Sequence, residues 1–313
     1  MQANYEKDMQ QFSIKDVEHL LGIKAHTLRV WEQRYGFFAA KRKASTHRTY
    51  DNEDLKVLLR VAFLYHQGKK ISHIAALSPE ALEQEVANVP LNGDTYPLFV
   101  VQLVEHALAF DELAFAQLLD RVTNLIGFTR TIEEVCFPFL QRVGLLWMTN
   151  HMVPAQEHFS SYLIQNKIIA ATESIPLPGS PTEMILFAPK GEFHELPLLY
   201  LHYLLRNQGW SVMFLGKNVD IPVLKECAAQ PSVQYLFMHL LTNLNQMDPE
   251  DYLEELVRQF PVKSIIASGA GIHRVKRSFV NVHLLLTDKQ IHQFINRKDE
   301  IPKYIIKVPP KSK

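Results

Sequence analysis

The stretch that decides the fold runs from residue 183 to residue 216 and reads EMILFAPKGEFHELPLLYLHYLLRNQGWSVMFLG. Met184 to Ala188 is an apolar run with the length of a buried strand, and apolar residues recur at helical spacing from His194 to Asn207. Gly209 ends that helix, and Trp210 to Leu215 predicts a second strand. The order of strand, loop, helix and strand predicts two parallel strands joined by a right-handed crossover.

The loop after the first of these strands carries Glu192 and His194. In open α/β sheets, ligands bind beyond the carboxyl ends of the strands, which is where this loop lies. A carboxylate two residues before an imidazole can accept its second ring N–H, which fixes the tautomer and raises the basicity of a metal ligand. The pair therefore suits a metal site, although a helix-start Glu and a partly exposed His are the more common explanation for two such residues alone.

The wider context of this loop resembles the cobalamin-binding Rossmann-like domain of methionine synthases and related sensors. The segment Gly191 to Leu196 (GEFHEL) lies in a first strand-to-helix loop, and Gly209-Trp210 precedes the next strand. The resemblance implies that His194 is the lower axial ligand of cobalt, the metal residue of the site, and that Glu192 hydrogen-bonds it. A glycine closes the motif in that family, whereas this chain has Pro197.

Composition narrows the class of protein. A chain of 313 residues with 47% hydrophobic content can bury two or three cores, so a single domain is not expected. The net charge is zero, so any contact with nucleic acid has to come from a local basic patch. Cys136 and Cys227 lack metal-ligand spacing, which favours a reduced intracellular protein. Without a signal pattern or an apolar run of about 18 residues, a cytoplasmic protein with no membrane span is predicted.

The N-terminal region predicts a helix-turn-helix. Ser13 can cap a helix that ends at Gly22, and a second helix follows from Lys24 to Tyr35. Leu28 and Trp31 share one face of the second helix with the apolar stripe of the first. Two short helices across a tight turn form the motif whose second helix enters a major groove.

A local basic patch accompanies this motif. Between Lys24 and Arg48, seven Lys or Arg residues stand against a single acid, Glu32. Residues 36–51 (GFFAAKRKASTHRTYD) are too polar and basic for a helix and predict a hairpin wing. A segment with apolar residues at helical spacing begins at Asp54.

This order resembles the MerR family of transcription regulators, through the WEQRYG segment, a basic wing ending in HRTYD and the helices after it. The resemblance covers Phe12 to Leu77 and implies binding to double-stranded DNA, at an inverted-repeat operator because MerR-like proteins bind as dimers. Arg48 and Tyr50 are expected to hold phosphates. The predicted DNA-binding residues are Thr27, Arg29, Arg34, Tyr35, Arg42, Arg48 and Tyr50.

The remaining text predicts a multidomain chain: an α-helical winged helix-turn-helix, a four-helix bundle, and an α/β Rossmann-like domain with a parallel five-stranded sheet. Four amphipathic segments, 97–109, 111–126, 131–146 and 154–172, form the bundle, and further short apolar runs complete the sheet at 235–238, 264–267 and 280–285. The predicted boundaries are 1–78 for the DNA-binding domain, 79–95 for a linker, 96–174 for the bundle as a cobalamin cap, 175–182 for a second linker, 183–297 for the cobalamin-binding Rossmann-like domain and 298–313 for a basic tail.

The predicted bundle contains one group of candidate binding residues. Trp147 ends the third helix, and Glu157-His158 lies one turn into the fourth. On these residues alone, a buried Trp and a surface Glu-His pair are the better explanation. Their spacing, however, matches the Trp and Glu-His motif of the helical cap in CarH-like and LitR-like light-sensing regulators. The resemblance implies that Trp147, Glu157 and His158 line the upper face of adenosylcobalamin.

The chain also departs from that family. A histidine directly follows the motif's Trp there, whereas this chain has Met148, with His151 as the nearest imidazole. The resemblance implies that the nucleotide tail of the cofactor lies along His239, where the family has a serine, and along Gly269 and Gly271. Pro197, His239 and Ala270 add bulk or stiffness where the family has small residues, and they are expected to narrow or reshape that cavity.

The sequence thus predicts a dimeric or tetrameric transcription regulator, not an enzyme, that responds to cobalamin held between the cap and His194. Ligand occupancy can switch such a protein only through different affinities for two assembly states. One alternative is the same architecture with a degenerate pocket that has lost cobalamin and responds to protein partners or another ligand. A corrinoid-dependent methyltransferase module is a second alternative, and it would explain only the sensor half.

Overall fold

The computed structural model describes residues 12–36, 41–42, 48–87, 96–148, 153–242 and 248–296. The chain divides into two units, residues 1–164 and 165–313. The predicted basic tail, 298–313, lies outside the described residues. The predicted domain boundaries stay predictions, since the division between the two units falls inside a helix rather than in a loop.

The first elements follow their capping signals. They are β1 (Phe12–Ser13), α1 (Ile14–Leu21) and α2 (Ala25–Tyr35). The Ser13 hydroxyl accepts a hydrogen bond from the Asp16 N–H at 3.4 Å, and the Asp16 carboxylate accepts one from the Ser13 N–H at 2.7 Å. This capping box satisfies two N–H groups that have no partner within the helix. Gly22 ends α1 in the left-handed conformation, with φ +68°.

The predicted wing is an antiparallel hairpin of β2 (Lys41–Arg42) and β3 (Arg48–Tyr50). It forms part of a three-stranded sheet with the order β1-β3-β2, in which Phe12 pairs with Tyr50. Both side chains are buried. The strand at Phe12 was not expected from the sequence, because a two-residue strand carries no periodicity.

Three helices come after the wing, namely α3 (Asn52–His66), α4 (Ile71–Ile74) and α5 (Pro79–Ala87). The linker predicted for residues 79–95 has to be corrected, because its first part is the helix α5. Proline is compatible with the first position of a helix, where its missing N–H has no partner to lose. Leu82 and Val86, one turn apart, are buried and give α5 its apolar face.

The bundle contains the four predicted helices, with one change of register. Its elements are α6 (Tyr96–Ala109), α7 (Glu112–Ile126), α8 (Phe128–Arg130), a π-helix (Thr131–Cys136), α9 (Phe137–Met148) and α10 (Pro154–Glu173). The third predicted helix therefore begins as a π-helix, in which the Phe137 N–H bonds to the Ile132 carbonyl. Pro138 has no N–H to continue the α-helical ladder at this point, and the wider turn accommodates it.

The second unit contains the predicted five-stranded parallel sheet, in the order β5-β4-β6-β7-β8. Strands and helices alternate as β4 (Met184–Pro189), α11 (Leu196–Asn207), β5 (Val212–Val219), α12 (Ile221–Ala228), β6 (Tyr235–His239), α13 (Pro249–Gln259), β7 (Ser264–Ser268), a 3-10 helix (Ala270–Arg274), β8 (Val282–Leu285) and α14 (Asp288–Asn296). Every residue of β4 is buried, which explains its uninterrupted apolar run. Among the described helices, none has the length and apolar character needed to cross a membrane.

Candidate functional site

The loop between β4 and α11 carries a fully buried carboxylate. Glu192 is 0% exposed. Its N–H donates to the Pro189 carbonyl at 2.9 Å, and its own carbonyl accepts from the Asn218 N–H at 3.1 Å, so the backbone of the loop is anchored on both sides. One carboxylate oxygen accepts two hydrogen bonds from His194, from the backbone N–H at 2.9 Å and from ring Nδ1 at 2.6 Å. Glu192 thus fixes both the main chain and the ring of His194.

The second carboxylate oxygen of Glu192 is held by the segment that follows β6, the strand beside β4. It accepts from the Leu241 N–H at 2.9 Å, from the Thr242 N–H at 2.7 Å and from the Thr242 hydroxyl at 3.0 Å. Burial alone would raise the pKa of Glu192, but the hydrogen bonds from Thr242 and His194 outweigh it and lower the pKa to about 2. The carboxylate is therefore ionised throughout the neutral range.

This arrangement determines which nitrogen of His194 is free. An ionised carboxylate only accepts hydrogen bonds, so Nδ1 carries the proton and Nε2 keeps its lone pair in the neutral ring. The His194 side chain is 57% exposed, and its ring is open to a ligand. Within the described ranges, no group of three or more His, Cys, Asp or Glu side chains could hold a metal ion. A single oriented imidazole fits a metal whose other ligands come from a prosthetic group.

A buried imidazole lies at the end of β6. His239 Nδ1 is 2.8 Å from the Ser268 hydroxyl, and its Nε2 is buried without a hydrogen-bond partner among the described residues. Burial lowers the pKa of His239 to about 4, with Glu192 opposing the shift and His194 adding to it. The ring is neutral at physiological pH. A buried nitrogen without a hydrogen-bond partner destabilises the folded state, and a bound ligand can supply the missing hydrogen bond.

The two glycines after β7 pack against the segment that follows β6. Gly269 has φ +100°, and a Cβ there would lie 2.2 Å from the Leu240 carbonyl oxygen. At Gly271 a Cβ would lie 2.6 Å from Leu240 Cγ. The Gly271 N–H also donates to the Leu240 carbonyl at 2.8 Å. Only glycine allows this approach, and Leu240 fills the space in front of both residues.

The start of α10 carries the Glu-His pair. His158 Nδ1 lies 2.8 Å from a Glu157 carboxylate oxygen, and His158 is exposed. The preceding residue, Gln156, is buried, and its amide donates to the Leu108 carbonyl at 2.9 Å while accepting from the Val153 N–H at 3.1 Å. Gln156 therefore anchors the start of α10 to the end of α6 and sets the position of the pair.

The second helix of the helix-turn-helix presents a basic face. Leu28 and Trp31 are buried beneath α2, and Trp31 meets the Tyr65 ring of α3 edge-on at 4.7 Å. The Glu18 carboxylate accepts from the Ala25 N–H at 3.1 Å and fixes the start of α2. The solvent-facing side of the helix carries His26, Arg29, Val30, Gln33 and Arg34.

Family models match two parts of this chain, and neither part includes Glu192 or His194. The model of the MerR HTH family regulatory protein matches residues 12–80, and that of the B12 binding domain matches residues 101–171. The chain combines a MerR HTH domain with a B12-binding domain. It is 27% identical over 256 residues to the HTH-type transcriptional repressor CarH of Myxococcus xanthus, covering 80% of this chain and 85% of CarH. It is 24% identical over 264 residues to the repressor CarA of the same organism, covering 82% and 86%.

A solved structure resembles part of this chain. The monomethylamine corrinoid protein of Methanosarcina barkeri matches with a TM-score of 0.50 at 14% identity, covering 62% of this chain and 95% of that protein. At this identity the likeness concerns the fold alone. The chain is homologous to CarH and CarA over most of its length.

The MerR HTH domain requires one correction to the predicted DNA contacts. Tyr50 is 1% exposed and packs in the sheet with Phe12, so its hydroxyl has no route to a phosphate. Arg29 and Arg34 are exposed on α2, whereas Thr27 and Tyr35 are half-buried. The guanidinium of Arg34 lies 5.4 Å from the centre of the Tyr35 ring. The side chains of Arg42 and Arg48 lie outside what the structure describes.

In the second unit, the structure brings together two residues of the predicted lower site. Glu192 and His194 form the predicted hydrogen bond, and both influence the pKa of His239 electrostatically. Contacts of His239, Gly269 and Gly271 with a cofactor stay predictions. The side chains of Trp147 and Met148 lie outside the description, as does His151.

Sequence reasoning missed three sets of residues. Leu241 and Thr242 donate hydrogen bonds to Glu192 although they are distant from it in the sequence. No local sequence pattern predicts these contacts. Gln156 was overlooked although it directly precedes the Glu-His pair, and its neighbourhood was a usable signal. On α2, the exposed positions His26, Val30 and Gln33 follow from helical periodicity and belong with the candidate base-reading residues.

Proposed function

We propose that this protein is a DNA-binding transcription regulator whose operator binding responds to a corrinoid. The observation that carries the proposal is the Glu192–His194 pair, in a chain that also carries an exposed basic recognition helix. The presence of a candidate corrinoid site and a DNA-binding helix in one chain is explained if corrinoid binding regulates DNA binding. The named relatives CarH and CarA are both transcriptional repressors, which supports a regulatory rather than an enzymatic role.

His194 is the proposed axial ligand of the cofactor. A corrinoid supplies a cobalt ion whose axial position accepts an imidazole nitrogen. The protein contributes an Nε2 lone pair that is free because Glu192 holds the proton on Nδ1. The bonds of the buried, ionised carboxylate to Leu241 and Thr242 keep it in place beside the ring. The buried Nε2 of His239 is available to a polar group of the tail.

The resemblance to CarH-like and LitR-like light-sensing regulators supports a more specific proposal. The cofactor is adenosylcobalamin, covered by Trp147, Glu157 and His158 of a bundle cap, and light that breaks the cobalt–carbon bond changes its occupancy. Gly269 and Gly271 line the tail. The regulator works in the cytoplasm as a homodimer or tetramer. Occupancy shifts the assembly state because the cofactor binds one assembly more tightly than another.

The DNA-binding surface in this proposal is the solvent-facing side of α2 together with the wing. Arg29 and Arg34 reach base edges or phosphates from the helix, flanked by Thr27 and Tyr35. Arg42 and Arg48 of the wing neutralise phosphates. Two copies related by a dyad read an inverted-repeat operator.

A crossed experiment tests the proposal. Wild type, His194→Ala and the double variant Arg29→Ala, Arg34→Ala are each prepared with and without adenosylcobalamin, in the dark and after illumination. Absorption spectra report the cofactor, and binding to duplexes selected from a random library reports the DNA site. His194→Ala should lose the base-on spectrum and the response of DNA binding to the corrinoid while still binding DNA. The double variant should keep the base-on corrinoid spectrum and lose binding to the DNA duplexes.

Two outcomes would contradict the proposal. If wild type and His194→Ala give the same corrinoid spectrum, the imidazole is not the ligand. If saturating adenosylcobalamin leaves DNA affinity and assembly state unchanged in wild type, in the dark and in the light, the corrinoid is not the signal. A spectrum retained without any effect on DNA would point to a corrinoid carrier rather than a regulator.

A further inference from the structure

A cleft lies where the MerR HTH domain meets the bundle. Its volume is about 660 Å³, within the range of sites for small molecules. Helices α1 and α3 form one wall, and α6 and α9 form the other. The buried apolar residues that line it are Leu21, Leu59, Ala62, Phe63 and Val101. The cleft belongs to the first unit of the chain, and His194 belongs to the second.

The polar lining of the cleft is positively charged. Arg142 of α9 is half-buried, and burial alone lowers the pKa of its guanidinium. In the part of the chain that the structure describes, no carboxylate lies within ion-pair distance of Arg142. A cation that loses water without gaining an acid is destabilised, and a ligand carboxylate can compensate through two parallel hydrogen bonds.

His66 provides a second polar group at the cleft. Its Nε2 lies 2.9 Å from the Leu21 carbonyl, which can only accept, so this nitrogen donates. The contact joins the end of α3 to the end of α1 within this wall of the cleft. Gln67, the next residue, also lines the cleft. A cleft with an apolar lining and a few fixed polar groups has the composition of a ligand site.

We propose that this cleft binds a small carboxylate with an apolar body. The carboxylate lies on the Arg142 guanidinium, and the body covers the surface formed by Leu59, Phe63 and Val101. Because its walls come from the DNA-binding domain and from the bundle, the ligand contacts both at once. It is therefore a second effector site, and none of the residues that line it is among those proposed to hold the corrinoid.

A matched pair of fluorescent probes tests the proposal on the full-length protein. Anilinonaphthalene sulfonate is an apolar anion, and phenylnaphthylamine has a closely related aromatic body without charge. Both should bind the wild type at a single saturable site, and octanoate should displace both. In Arg142→Gln the sulfonate should bind at least about tenfold more weakly, the effect expected for loss of a charge-assisted hydrogen bond, while the neutral probe keeps its affinity.

Four control variants locate the site. Arg121→Gln removes an exposed arginine on α7, outside the cleft, and should leave both probes unaffected. Ala62→Phe fills the cleft and should abolish binding of both, and Val101→Phe repeats this test from the opposite wall if the first variant does not fold. His194→Ala should bind both probes like wild type, which separates this site from the corrinoid site.

The proposal is overturned if Arg142→Gln binds the sulfonate as tightly as Arg121→Gln does, or if the wild type has no saturable site. Binding that survives in both filled variants would place the probes elsewhere and would equally overturn it. Octanoate that fails to displace the sulfonate would refute a carboxylate ligand.

Discussion

Replacing Glu192 by glutamine should move the proton on the His194 ring. The carboxylate accepts five hydrogen bonds, two from His194 on one oxygen and three from Leu241 and Thr242 on the other. A glutamine amide has nearly the same shape, but it accepts through its oxygen and donates through its NH₂ group. One set of donors must therefore face another donor.

The two orientations of the glutamine amide differ in cost. An NH₂ group turned toward Leu241 and Thr242 meets two backbone N–H groups, which cannot become acceptors. Turned toward His194, it meets one backbone N–H and the ring Nδ1, which can accept if the proton moves to Nε2. The second orientation leaves one backbone donor unsatisfied instead of two, and it is the one we expect. The variant ring then carries its proton on the nitrogen that would bind cobalt.

The magnitude follows from the difference of one unsatisfied backbone donor. Leaving such a group unpaired costs about 1–3 kcal/mol. To coordinate a metal through Nε2, the variant has to return to the costlier orientation, so affinity for aquocobalamin should fall by about 5–150-fold. His194→Ala should lose the coordination altogether.

Nitrogen NMR of histidine-labelled protein reports the tautomer, and calorimetric titration with aquocobalamin reports the affinity. Wild type should show the Nδ1–H tautomer of His194, and Glu192→Gln the Nε2–H tautomer. Glu195→Gln is a matched control, because Glu195 pairs with Lys217 at the surface and does not contact His194 through any described hydrogen bond. An unchanged tautomer together with an affinity within about twofold of wild type would refute the reasoning.

Three further predictions follow from burial and charge. In a fluorescence anisotropy assay with operator DNA, Arg29→Ala should weaken binding and reduce its salt dependence or its discrimination between bases. Tyr50→Phe should leave the affinity unchanged in that assay, because the Tyr50 hydroxyl is buried. Gly269→Ala should lower the free energy of unfolding by about 3 kcal/mol or more in urea titrations, since its Cβ would collide with a carbonyl oxygen at 2.2 Å. Burial raises the pKa of Glu105 despite Arg60, so stability from this group is present at low pH and lost as pH rises through the raised pKa. At pH 7 the Glu105→Gln variant should therefore unfold at the same temperature as wild type or at a higher one. Its unfolding temperature should also depend less on pH in the acidic range. A clear loss of stability at pH 7 would show that the ion pair with Arg60 outweighs the cost of burying Glu105.

Local interactions were predictable from the sequence, and contacts between distant segments were not. The bond between Glu192 and His194 follows from a spacing of two residues, and the apolar run of β4 follows from burial on both faces. The bonds to Thr242 depend on β6 lying beside β4, a neighbour relation that periodicity does not encode. The low pKa of Glu192 was equally hidden, because it depends on the same contacts.

Errors arose where one residue type serves two purposes. The proline-rich text after Leu77 predicted a linker, yet Pro79 begins a helix, since proline is disfavoured within a helix but not at its start. Tyr50 was expected at a phosphate because it ends a basic wing. Its burial is decided by pairing with Phe12, which lies before the first helix.

Helix α3 links the wing to the bundle through packed side chains. Asp51 caps its start directly after β3, and His66 at its end contacts the end of α1. Between them, Arg60 reaches Glu83 of α5 at 3.4 Å and the nearly buried Glu105 of α6 at 3.2 Å. Close-packed helices move as bodies rather than deform, so a displacement of α6 must either break the buried pair or carry α3 with it. Because α3 begins at the wing, the second outcome changes the DNA-binding surface, and a bundle that senses a ligand has a physical route to the operator.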